Sequence, residues 1–224
     1  MTQARFRIRF LIVPAALLAL LAWAAILASS WPAAHGGATS PVGDRWRSWP
    51  ATRVFPPSVP ATSPSGARIR YLLAGVAREA RCEDALQPEA ARALARLGCV
   101  TTLRATYTDS TQTYVVTAGI AVLSASAPSA ATPVAGRLGI RETGPMRERP
   151  PTVRPAPFPG GAAEGFGERQ YVAGALAAGH DRYVVLTAAG YADGRPYAPG
   201  VPADPRLTRA ARDLAAALHR NISR

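Results

Sequence analysis

VTTLRATYTDSTQTYVVTAGIAVL, residues 100–123, reads as a β-hairpin. Residues 100–108 and 113–123 are rich in β-branched and aromatic side chains, which fit a pleated, half-buried surface. Between them DSTQ, residues 109–112, supplies the polar residues of a turn. A hairpin of this length needs further strands or helices against its apolar face.

The flanking sequence supplies them. RIRYLLAGVA, residues 68–77, alternates Ile69, Tyr71 and Leu73 with polar positions at its start, as a strand does. A helix follows from Pro88: Pro suits the first helical position, Glu89 suits its positive end, and Gly98 suits the stop. Ala90, Leu94 and Leu97 form its apolar stripe. Downstream, residues 171–179 and 182–194 read as two more strands. His180 and Asp181 lie in the turn between them, and Asp193-Gly194 ends the second. A last helix is predicted from Pro205 to Asn221, capped by Asp204. Its face of Leu207, Ala211, Leu214, Leu218 and Ile222 is expected to pack on the sheet. Hairpins, rather than regular strand–helix crossovers, predict an α+β domain with a mainly antiparallel sheet and two to three helices over residues 67–224.

Two Pro-rich stretches interrupt this pattern. Residues 32–66 carry seven prolines and are expected to be an extended, membrane-proximal segment. Trp46, Trp49, Val54 and Phe55 are unusual in a spacer and are expected to dock on the domain. Residues 145–161 form a second Pro-rich loop, read as exposed and mobile, with an edge strand at Val153–Phe158. Residues 124–144 are rich in Ala, Ser, Pro and Gly. They offer only a weak helix near Ala130–Leu138, which Pro133 should keep short.

The N-terminus sets the expected location. FLIVPAALLALLAWAAILASS, residues 10–30, is uncharged, and as a helix it would be about 31 Å long against a hydrocarbon core of about 30 Å. Arg5, Arg7 and Arg9 precede it, and Trp31 sits at its far edge. The arrangement predicts a cytoplasmic tail at 1–9, a transmembrane anchor at 10–31 and an extracytoplasmic remainder. A cleaved signal peptide also has a basic start and an apolar middle, but its apolar region is shorter, about 7–15 residues. Both readings send the rest of the chain out of the cytoplasm.

The formal charge is +12, and every one of the 26 basic residues other than histidine is an arginine. Setting aside Arg5, Arg7 and Arg9 leaves 23 arginines against 14 acids, a charge of +9. That charge would attract anionic wall polymers or lipid head groups, although the arginines are dispersed and GC-rich codon usage alone would supply them. No aromatic-plus-basic pattern points to nucleic acid. The absence of lysine removes the phosphate-loop lysine, the Ser-x-x-Lys acylase pair and every Schiff-base mechanism.

Cys82 and Cys99 are the two cysteines. In an oxidising compartment they read first as a disulfide, closing a loop of about 17 residues and contributing about 3 kcal/mol. Buried thiols, or a reactive or metal-binding cysteine, are the alternatives. Two cysteines supply too few ligands for a metal site. Among the motifs, GFG at Gly165–Gly167 lacks the strand and third glycine of a dinucleotide site. No zinc-protease, nucleophile-elbow or phosphate-loop motif is present, and no cofactor is expected.

VFPPSVP (54–60), LRATYTD (103–109), GIAVL (119–123) and YVVLTAAGYADGRP (183–196) together resemble the uncharacterised single-pass membrane-anchored proteins of actinobacteria. In that group one N-terminal helix carries an extracytoplasmic domain. The resemblance covers most of the chain after residue 50 and implies location and a paired cysteine, but no activity. ATYTD and GIAVL are also similar to sensor-like α+β domains of actinobacterial kinases and lipoproteins, a likeness that transfers no functional residue.

The leading expectation is therefore a membrane-anchored extracytoplasmic module that binds or scaffolds an envelope protein or an anionic wall polymer, without catalysis. The alternative is a cell-envelope thiol-dependent hydrolase or transferase, which requires a free Cys82 or Cys99 beside His180. A third reading is a ligand sensor whose output passes to another membrane protein, since only nine residues precede the anchor.

Overall fold

The structure, a computed structural model, describes residues 45–63, 65–124, 128–138, 151–178, 182–196, 198, 200–201 and 204–223. The predicted tail and anchor, His35, the loop residues 145–150, and the turn residues His180 and Asp181 lie outside the described residues. No helix among the described residues is long and apolar enough to cross a membrane.

Six strands form one antiparallel sheet: β1 (Ser58–Thr62), β2 (Arg68–Val76), β3 (Cys99–Asp109), β4 (Tyr114–Leu123), β5 (Val172–Ala178) and β6 (Tyr183–Tyr191), in the order β1-β2-β3-β4-β6-β5. The predicted hairpin is β3–β4. Its turn is held by the buried Asp109 carboxylate, which accepts hydrogen bonds from the backbone N–H groups of Thr111, Thr113 and Tyr114 at 3.0, 2.7 and 2.6 Å. Helical segments are α1 (Arg45–Ser48), α2 (Ala51–Val54), α3 (Cys82–Ala85), α4 (Pro88–Ala95), α5 (Pro128–Leu138) and α6 (Pro205–Ile222). The architecture is α+β.

Both faces of the sheet are covered, and successive residues of β4 and β6 enter opposite cores as the period-2 geometry of a strand requires. Val116, Ile120 and Val185 join a core with Tyr71, Tyr107 and the α6 residues Leu214 and Leu218. Val115, Ala121, Val184 and Leu186 join a second core with Leu86, Leu94, Val134 and Val153. All nine residues of β6 are buried, which explains its nearly continuous apolar sequence. The capped C-terminal helix forms as its sequence predicts: Asp204 accepts from the Arg206 N–H, Pro205 takes the first position, and Leu207, Ala211, Leu214, Leu218 and Ile222 are buried.

Two sequence readings need correction. The first concerns the segment before residue 67. Trp46, Val54 and Phe55 are buried in the α6-side core, and the rings of Trp49 and Tyr183 lie 5.6 Å apart. Residues 58–62 are no spacer but the edge strand β1, paired with β2 from Ser58↔Leu72 to Thr62↔Arg68. Pro60 is tolerated there because an edge strand leaves one row of backbone groups unpaired.

The second correction concerns the Pro-rich loop. Its described part, residues 151–161, packs on the domain through residues 152–158 instead of standing exposed, and makes an isolated bridge, Leu86↔Val153, in place of an edge strand. It is a strap crossing the second face of the sheet, with Thr152 and Val153 fully buried. The Thr152 hydroxyl donates to the Thr187 carbonyl on β6 at 2.8 Å. The Ala156 N–H donates to Thr117 Oγ1 on β4 at 3.1 Å, and Thr106 Oγ1 on β3 donates to the Ala156 carbonyl at 2.6 Å. Glycines receive the strap: a Cβ on Gly119 would stand 2.7 Å from Val153 Cγ2, and one on Gly75 would meet the Phe158 ring. Glycine in a strand marks such a close approach.

Candidate functional site

Among the described residues, the sequence-assigned pair brought together is Cys82 and Cys99, which form a disulfide with their Cα atoms 6.3 Å apart. Cys82 opens α3 and Cys99 opens β3, so the bond ties both ends of the α3–α4 excursion to the sheet. Gly98, at φ +69°, turns the chain between α4 and β3. On the strap side, the Gln87 N–H donates to the Thr152 carbonyl at 2.9 Å, the Arg154 N–H donates to the Ala85 carbonyl at 2.8 Å, and Tyr171 donates its hydroxyl to Gln87 Oε1. α4 is thus fixed at both ends while Ala90 and Leu94 seal against the sheet.

Fixing α4 leaves a groove of about 650 Å³ between it and α5. Ala93, Leu97, Pro133, Val134, Leu138 and Pro151 give it an apolar floor. Arg92 on α4, Arg96 four residues on at its C-cap, and Arg137 on α5 stand on its rim, together with Glu89. All four charged side chains are exposed. A smaller cleft of about 330 Å³ lies on the other flank of α4, over the disulfide, between Arg81, Glu83, Arg92 and Val100. Chemically the larger groove offers guanidinium donors beside an apolar surface. It suits an anionic ligand with an apolar body.

The remaining sequence candidates have structural roles. Asp193 chelates the Arg195 guanidinium, Nη2–Oδ2 2.5 Å and Nε–Oδ2 2.9 Å, and the arginine holds its carboxyl below the usual range. Arg195 in turn stacks over the Tyr191 ring at 4.2 Å. The Tyr191 hydroxyl donates to Asp204, the cap of α6; burial and this carboxylate push the phenol up to about 12. Gly165–Gly167 places Phe166 on Gly190, a packing contact. Asn221 donates its amide to the Arg53 carbonyl, tying α6 to α2. Among the described residues no three His, Cys, Asp or Glu side chains are grouped to hold a metal ion.

Sequence reading missed the groove arginines because it counted them among dispersed charges. The four-residue spacing of Arg92 and Arg96 was visible on the predicted helix. Nothing local connects them with Arg137, which tertiary packing brings to the facing wall. Comparison with known protein families, curated proteins and solved structures finds no match.

Proposed function

We propose that this chain is a membrane-anchored extracytoplasmic binding module without catalytic activity, and that the groove between α4 and α5 is its binding surface. The observation that carries this reading is the arginine-rimmed apolar groove, one wall of which is fixed by a disulfide of the kind that persists in oxidising compartments. The bond engages both thiols that a thiol-dependent hydrolase or transferase would need, which favours binding over catalysis. In this reading residues 10–31 anchor the chain. On that side of the membrane, anionic lipids and wall polymers are the available partners.

The test is thiol labelling of intact cells with a membrane-impermeant maleimide. Labelling of Cys82 and Cys99 only after an impermeant reductant is the expected result. Labelling without reduction would restore the thiol enzyme, and labelling only after cell lysis would place the domain on the cytoplasmic side.

A further inference from the structure

The groove's two chemistries, taken together, narrow its ligand. A hydrophilic wall polymer would use the arginines but leave the floor of Leu97, Val134 and Leu138 wet. An extended peptide would find no sheet edge here to extend, because the groove lies between α4 and α5. Free phosphate would use only the rim. An anionic lipid satisfies rim and floor at once: its phosphate takes charge-assisted hydrogen bonds from guanidinium groups and its first methylenes cover the apolar floor.

The charge balance favours an anion. Among the described residues that line the groove, Arg92, Arg96 and Arg137 stand with one carboxylate, Glu89. The guanidinium fork matches phosphate oxygens in bidentate geometry, whereas the described floor residues offer a sugar ring only apolar side chains. Resting on the binding-module reading above, we propose that the α4–α5 groove holds the phosphate and proximal acyl carbons of an anionic membrane lipid.

The experiment places the full chain in phosphatidylcholine vesicles containing a trace of phosphatidic acid with a diazirine in its proximal acyl carbons. Irradiation is followed by mapping of labelled peptides. The expected result is labelling within residues 88–97 and 133–138 by the phosphatidic acid and not by a phosphatidylcholine bearing the same diazirine. Arg92→Gln with Arg96→Gln, and separately Arg137→Gln on the opposite wall, should lower that labelling by about tenfold or more, as loss of charge-assisted contacts predicts. These side chains are exposed, so retention of the disulfide and of the unfolding midpoint verifies the fold in each variant.

Equal labelling by both lipids would overturn the proposal, as would phosphatidic acid labelling insensitive to the arginines. Displacement by inorganic phosphate at the concentration of the lipid would reassign the rim to free anions. Absence of groove labelling in a correctly oriented, disulfide-bonded chain would refute the lipid alone. Failure of the maleimide test would refute the extracytoplasmic module itself.

Discussion

Val153 lies directly over Gly119: its Cγ2 methyl is 2.7 Å, and its Cβ 3.0 Å, from the point where a Cβ on Gly119 would stand. The missing side chain on β4 is the notch into which the strap fits, so the Pro-rich segment and the central hairpin are complementary surfaces.

Gly119→Ala should therefore destabilise the fold by about 1–3 kcal/mol, the usual range for overpacking a rigid site. Val153 is fully buried and has no open direction in which to yield. Adding Val153→Ala should recover part of the loss in urea denaturation. Strictly additive losses would show that the two positions are not coupled.

Thr117 is the strap's polar anchor. It accepts from the Ala156 N–H and pairs with the Thr106 hydroxyl at 2.7 Å, all buried. Thr117→Val keeps the shape but orphans a buried N–H, at a cost of about 1–3 kcal/mol. Thr117→Ser keeps the hydroxyl and should cost less. Amide exchange at the Ala156 N–H, which loses its acceptor, should accelerate in the valine variant only.

Cys82 and Cys99 are 17 positions apart, and replacing both by Ala should remove about 3 kcal/mol of stability. The two cores are separated by the sheet. Amide exchange should accordingly quicken first in α3 and α4, while α6 keeps its protection. Equal loss in α6 would mean that the two layers open as one unit.

Asp204 sets an acid limb. Burial would raise its carboxyl, but hydrogen bonds from Arg206 and Tyr191 outweigh burial and hold it at about 2, below an unfolded aspartate near 3.9. Between these values the unfolded chain binds more protons, so stability rises with pH there. The contribution is complete above the unfolded value and lost as pH falls toward 2. Asp204→Asn retains the helix cap and should flatten that part of the stability–pH curve. Asp204→Ala should in addition lower stability at neutral pH by about 1 kcal/mol. An unchanged acid limb in the asparagine variant would count against this assignment.

Much of the fold was legible because its signals are local. The β3–β4 hairpin announces itself through two β-rich runs around DSTQ, α4 through Pro88 and Gly98, and α6 through Asp204-Pro205 and a single apolar face. Strand β1 was not legible. SVPAT carries a proline and little hydrophobic alternation, and its place depends on pairing with β2, a non-local event. The strap was misread for a related reason. Proline density predicts extended backbone correctly, but whether an extended segment is solvated or buried depends on the surface opposite it.

The sequence by itself determined five of the six strands, the helices α4 and α6, the mainly antiparallel sheet, and the cysteine pair as a disulfide framework, because turn chemistry, capping and periodicity act over a few residues. It also carried the apolar run at residues 10–30 that motivates the anchoring proposal. Tertiary structure alone decided that Val153 and Phe158 find Gly119 and Gly75, that residues 45–62 join the domain, and that Arg137 faces Arg92 and Arg96 across one groove. Val153 and Gly119 are 34 positions apart, Arg137 and Arg92 45, Phe158 and Gly75 83, and Trp49 and Tyr183 134, and only packing complementarity, which no local pattern encodes, selects such pairs.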